Sequence, residues 1–133
     1  MLLDDIGDYL SSGGGYVSGT DLFLSILPDQ PDAAIALFET GGGVPHHTMG
    51  GSNPVAELPT LQVVCRAKRY DDARLLAKDV DILLNGVRNR LINGVMYRWI
   101  QAQQSPFFIN RDEQQRDEVA CNYSIIRDSA TSS

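Results

Sequence analysis

The chain has 133 residues, 43% hydrophobic and 21% charged, with 17 acids against 11 bases and a net charge of −6. That length predicts a single domain with one ordinary core. The acidic balance argues against nonspecific DNA binding, which needs Lys and Arg to meet phosphates, and against docking on an anionic membrane surface. No apolar run approaches the roughly 20 residues that span a bilayer. The N-terminus, MLLDDIGDYL, carries acids where a signal peptide needs bases, so a cytoplasm is the expected location.

Residues 2–11 predict a short amphipathic helix. Leu2, Leu3, Ile6, Tyr9 and Leu10 recur near helical spacing, and Asp4, Asp5 and Asp8 lie near the end that the helix dipole favours for acids. The SSGGG run that follows predicts its stop, because glycine loses the most freedom on ordering. DLFLSIL (21–27) and AAIALFE (33–39) predict two strands. The PDQPD turn between them predicts a hairpin.

From Thr40 to Leu58 the sequence is irregular, with five glycines and two histidines. A loop that long in a small domain is usually functional or disordered. PTLQVVCR (59–66) alternates, with Leu61, Val63 and Cys65 on one face, and predicts a half-buried strand. Residues 71–85 predict the clearest helix. Its core stripe is Ala73, Leu76, Ala77, Val80, Leu83 and Leu84, and Gly86 stands where a glycine closes a helix. Leu75 and Ile82 fall seven residues apart and off that stripe, which predicts a second apolar strip for a neighbouring subunit.

Asn93-Gly94 predicts a tight hairpin between a short strand, 90–92, and a longer one, 95–103, with Val95, Tyr97 and Trp99 on one face and Met96, Arg98 and Ile100 on the other. After it come an apolar knuckle (Pro106, Phe107, Phe108), a charged turn (110–117) and a strand over 119–126. Adjacent phenylalanines on an extended segment point to opposite faces, so one ring is expected in the core and one in a contact. Cys65 and Cys121 both fall on predicted strands among apolar neighbours and read as reduced core thiols. The fold class is therefore α+β: a mostly antiparallel β-sheet with helices packed on one face, in a single domain over 1–127, followed by a polar, mobile tail over 128–133.

Nothing in the sequence builds an active site. Neither glycine run (13–19 or 41–44) leads into Lys-Ser/Thr or a helix, so a phosphate loop is excluded, and GxSxG and HExxH do not occur. His46 and His47 lack companions at metal-ligand spacing. No metal and no cofactor is expected. Arg66, Lys68, Arg69 and Arg74 form the one basic cluster, a solvated corner interleaved with Asp71 and Asp72.

In order of elements, the chain resembles a bacteriophage family, the minor capsid or tail terminator proteins. The resemblance runs from the short helix and DLFLSILPDQPD through LPTLQVVCRA and its YDDAR helix to NGVMYRWIQAQQSPFFINRDEQQRDEVACNYSIIR. The glycine-rich GGGVPHHTMGGSNP loop and the GGGYVS insertion depart from it. The resemblance implies a structural virion protein with no catalytic residue. Such a protein would form a ring, commonly hexameric, on the finished tail tube at the tail–head junction, after assembly in the host cytoplasm. It implies contacts with the tube protein and with a head-completion, stopper or portal-side protein, and DNA passing through the lumen without specific binding. Candidate contact residues are Gly41, Gly42, Gly43, Val44, Pro45, His46, His47, Met49 and Asn53 in the loop, and Arg66, Lys68 and Arg69 at the basic corner. Leu75 and Ile82 on the helix, and Pro106, Phe107 and Phe108 at the knuckle, complete them. Two alternatives are a head-side adaptor bound to the portal and, more distantly, a small enzyme or regulator using His46 and His47.

Overall fold

A computed structural model describes residues 2–40, 46–47 and 54–128, with side chains for 2–40 and 58–128. Its spine is the last strand, β9 (Asp117–Asp128), twelve residues long and paired along both edges. The other elements are α1 (Leu2–Gly14), β1 (Leu22–Leu24), β2 (Ala34–Thr40), β3 (His46–His47), β4 (Pro54–Glu57), β5 (Thr60–Ala67), α2 (Tyr70–Leu84), β6 (Val87–Ile92), β7 (Val95–Ala102) and β8 (Phe107–Arg111). One edge of β9 takes β5, from Thr60↔Ser124 to Ala67↔Asp117, and then β4 at Glu57↔Arg127. The other edge takes β8 against its first half and β7 against its second. The sheet extends through β2 and β1 on one side and β6 on the other.

Alternation along these strands sends one face inward. Ile35 and Leu37 lie opposite Cys65 and Val63, which in turn lie opposite Val119 and Cys121. Both helices pack on that face through Leu2, Ile6 and Leu10 of α1 and Ala73, Ala77, Val80 and Leu84 of α2, all in one buried cluster. Each fully buried leucine or isoleucine contributes about 1.5–3 kcal/mol. Cys65 and Cys121 are free thiols within this core. Gly86 closes α2 with φ +91° and donates its N–H to Ile100 O, so the same residue opens β6.

The structure departs from the sequence reading in five places. First, α1 does not stop at Ser11. A Cβ on Gly13 would meet Leu83 at 3.2 Å, so the glycines let the last turn lie against α2, and the helix runs to Gly14, with the left-handed Gly15 (φ +75°) just past its end. Second, β1 and β2 are parallel, Leu22↔Ile35 to Leu24↔Leu37, and form no hairpin. The PDQPD segment is held elsewhere. Arg66 donates to the carbonyls of Pro31 and Asp32, and Arg116 donates to the carbonyl of Asp29.

Third, the stretch expected to be irregular contains the paired backbones of β3 and β4, and β8 occupies part of the expected charged turn. Fourth, β5 is buried on both faces toward its end, where Val64 and Arg66 join Val63 and Cys65 in the interior. Fifth, the alternation expected in β7 breaks at Arg98. Tyr97 pairs Arg127 but Trp99 pairs Ile126, so one extra residue flips the phase and both Tyr97 and Ile100 point inward. Val87 and Ile92 on β6, an odd five residues apart, are both buried for the same reason. The Asn93-Gly94 turn forms as expected, with φ +50° and +80°. Of the tail expected from residue 128, Asp128 belongs to β9, and the rest lies outside the described residues.

Candidate interaction surface

The outer side of α2 is defined by what its inner side buries. With about 100° of turn per residue, Ala73, Ala77, Val80 and Leu84 face the sheet, and Leu75 and Ile82 point directly away from it. They are 58% and 70% exposed. Two apolar side chains on the outermost line of a helix, in a protein that already buries a full stripe, bring no stability to the single chain.

Beside this strip lies β8. Phe107 pairs Ala120 and Phe108 pairs Val119, but the next pair is Asn110 with Glu118, so Ile109 is an extra residue. The bulge turns Phe108 and Ile109 outward together, where strict alternation would have hidden one of them. Phe108 is 48% exposed, Phe107 is half-buried, and neither belongs to the core cluster. The Phe108 ring meets Tyr70 at 6.3 Å between centroids, and the Arg74 guanidinium sits 5.8 Å from the Tyr70 ring while donating to the Pro106 carbonyl. Tyr70, Leu75, Ser105 and Pro106, together with the charged Asp71, Arg74, Lys78 and Asp81, line an open cleft of about 500 Å³ between α2 and the link that leads into β8. Leu75, Tyr70 and Pro106 are the apolar part of that lining, and Phe108 extends it from Tyr70.

The basic corner is not one site. Arg66 is only 2% exposed and is held by the Pro31 and Asp32 carbonyls, so it is corrected from a surface contact to a structural clamp. Lys68 pairs Asp32 at 3.2 Å, across the sheet end, in place of the expected pairing with Asp71 and Asp72. Arg69 is exposed at the N-cap of α2 and makes no side-chain cap. Near them, buried Arg116 reaches Asp112 (2.7 Å), Asp29 (3.1 Å) and Asp32 (3.2 Å). Burial works to raise the Asp112 carboxyl, but hydrogen bonds from the Arg116 backbone and side chain hold it below the usual carboxylate range. This network fixes the β8–β9 turn and gives β8 a rigid base.

In the glycine-rich loop, Gly41, Gly42, Gly43, Val44, Pro45, Met49 and Asn53 lie outside the described residues. His46 and His47 are described only as the backbone of β3, opposite Ala56 and Pro54. Among the described residues no three His, Cys, Asp or Glu side chains gather as metal ligands, and no helix is long and apolar enough to cross a membrane. Sequence reasoning missed Tyr70 and Ile109. The first joins the surface through its tilted ring contact with Phe108, a tertiary contact, and the second is exposed by a bulge that carries no residue signature.

Residues 9–129 match the bacteriophage tail terminator protein family. The chain belongs to that family. It is a structural protein of the phage virion, at the end of the tail, and the family is not one of enzymes. The fold of this tail terminator is shared with a chain in the solved virion of a native gene transfer agent (GTA) particle. The TM-score is 0.69 at 10% identity, over 96% of this chain and 95% of that one. A second solved chain is similar at TM-score 0.56 and 11% identity, over 99% and 93% respectively. At such identities the likeness is one of fold. No curated protein matches the chain.

Proposed function

We propose that this tail terminator closes as a ring on the finished tail tube, ends tube polymerisation there, and offers its far side to a head-completion protein. The observation that carries this reading is the exposed apolar surface of Leu75 and Ile82 on α2, with Tyr70 and Phe108 at its start. It lies exposed on a chain whose core is already complete, and it calls for partner protein rather than for a small ligand. Contacts between unlike faces of identical subunits close into rings when the rotation closes. The glycine-rich stretch from Gly41 to Asn53 is assigned to the tube contact. A net charge of −6 per subunit suits a lumen through which DNA passes without being gripped.

The test is electron microscopy of particles made with an early stop codon in this gene. Filled heads beside detached, overlong tubes are expected. Free tails of normal length beside tailless heads would instead move the protein to the head side of the neck, bound to the portal. Intact particles would end the ring reading.

A further inference from the structure

The strip on α2 has a second row. Asp72 and Asp79 also stand seven residues apart, each three residues before Leu75 or Ile82, so each acid flanks an exposed apolar side chain on the helix surface. Both acids are exposed, and neither makes an ion pair among the described residues. Elsewhere on this chain an unlike surface mirrors that pattern. The β6–β7 ribbon, residues 87–102, holds three of the eleven bases and none of the seventeen acids. It is a patch of +3 on a protein whose remaining residues sum to −9.

Arg98 is already taken, since it grips Asp128 at 2.9 and 3.0 Å. Arg88 and Arg90 are not. Their guanidinium groups lie 5.7 Å and 5.3 Å from the Trp99 and Tyr9 rings, and they make no ion pair among the described residues. Leu91 beside them is 63% exposed, on a strand that pairs only with β7 among the described residues. Arginines on an edge strand deter sheet-to-sheet extension, so a contact here runs through side chains.

We propose that, within the ring, the outer strip of α2 on one copy docks on the β6–β7 ribbon of the next. Leu75 and Ile82 cover Leu91, and Asp72 and Asp79 face Arg88 and Arg90. Seven helical residues separate the two acids by about 10 Å, and the arginines, on opposite faces of the edge strand after the phase flip (Arg88 on the Trp99 side, Arg90 on the Tyr9 side), reach the contact from either side of that edge. The two faces are different surfaces of one chain, so the contact is head-to-tail, the kind that closes a ring. This inference rests on the ring reading and names the surfaces that make it.

Charge exchange tests it. Full-length protein carrying Asp72→Arg with Asp79→Arg, and separately Arg88→Asp with Arg90→Asp, is followed by native mass spectrometry and by electron microscopy of tail tubes incubated with it. Each variant alone presents like charges across the contact. It should need roughly tenfold more protein, or greater, to assemble than the parent chain. A one-to-one mixture restores opposite charges at every junction of an alternating ring and should recover the parent's assembly, which also shows that both variants are folded. Assembly of either variant alone at the parent's concentration, or a mixture that stays unassembled, overturns this interface and leaves the ring reading standing. Failure of the parent chain itself to assemble in solution or on tubes overturns both.

Discussion

The hydroxyl of Tyr97 donates to the carboxyl of Asp5 at 2.7 Å, inside the seam between α1 and β7. Both residues are buried. Asn93, in the hairpin turn, donates to Asp5 at 3.1 Å and to Asp8 at 2.8 Å, and Arg127 donates to the Tyr97 oxygen at 3.3 Å. The bulge at Arg98 is what aims Tyr97 inward, so a local irregularity in one strand sets where the first helix sits on the sheet. Tyr97→Phe keeps the ring and removes the donor. Because a buried acceptor loses a partner, stability should fall by about 1–3 kcal/mol in urea unfolding, with an unchanged m-value. A variant as stable as the parent would show that the other donors satisfy Asp5 alone.

A second prediction separates contact from core. Ile82→Asp and Phe108→Asp place a charge where the single chain already meets solvent. Folding stability should change by about 0.5 kcal/mol or less, while assembly on tail tubes is lost. A drop of several degrees in thermal midpoint for Phe108→Asp would instead make its packing on Tyr70 structural.

Much of this fold was legible because its signals are local. The stripe of α2, the alternation of β5 and β9, Asn93-Gly94 and the exposed pair Leu75 and Ile82 all follow from period or turn chemistry within one element. The errors share the opposite cause. Gly13 continues α1 because Leu83, seventy residues on, lies against it. PDQPD avoids a hairpin because Arg66 and Arg116 hold it. Arg98 and Ile109 invert their strands through bulges fixed by the partner strand. Of the candidate surface, the exposure of Leu75 and Ile82 was readable. One of the two phenylalanines was expected in the core cluster, which neither joins, Arg66 was misread as solvated because its carbonyl partners are distant in sequence, and Tyr70 needed the neighbouring Phe108 ring to be seen.

Arg116 supplies a third prediction. Its guanidinium joins Asp112, Asp29 and Asp32, and Gln114 adds a hydrogen bond to Asp29 at 2.7 Å. Arg116→Met keeps the buried stem and removes the donors. The thermal midpoint should fall by about 3 °C or more, and hydrogen exchange should quicken at the Asp112 and Gln115 amides of the turn while the α2 amides stay protected. Uniform exchange across the protein would mean that the network holds the whole fold and not the turn.

The buried thiols and phenols give the protein an alkaline limit. Burial pushes the Cys65 thiol well above its ordinary value of 9.0, with Cys121 and Asp79 adding to it, and burial also raises Cys121. Tyr97 and Tyr123 are raised from 10.0, mainly by burial, with hydrogen bonds to Asp5 and Asp81 contributing. The folded state therefore keeps protons that the unfolded chain releases above about pH 9. Between the unfolded and folded values the unfolded chain binds fewer protons, so unfolding becomes easier as pH rises. The urea midpoint should be flat to about pH 8 and then decline, with each titrating group adding up to about 1.4 kcal/mol per pH unit. Cys65→Ala should shallow the first part of that decline. In parallel, a thiol reagent at pH 8 should leave both cysteines unmodified in the native protein and label both on unfolding. Rapid native labelling of Cys121, whose thiol donates to the Gln104 carbonyl at 3.2 Å, would show that the link between β7 and β8 opens and that the apolar lining at Pro106 is a moving surface rather than a fixed one.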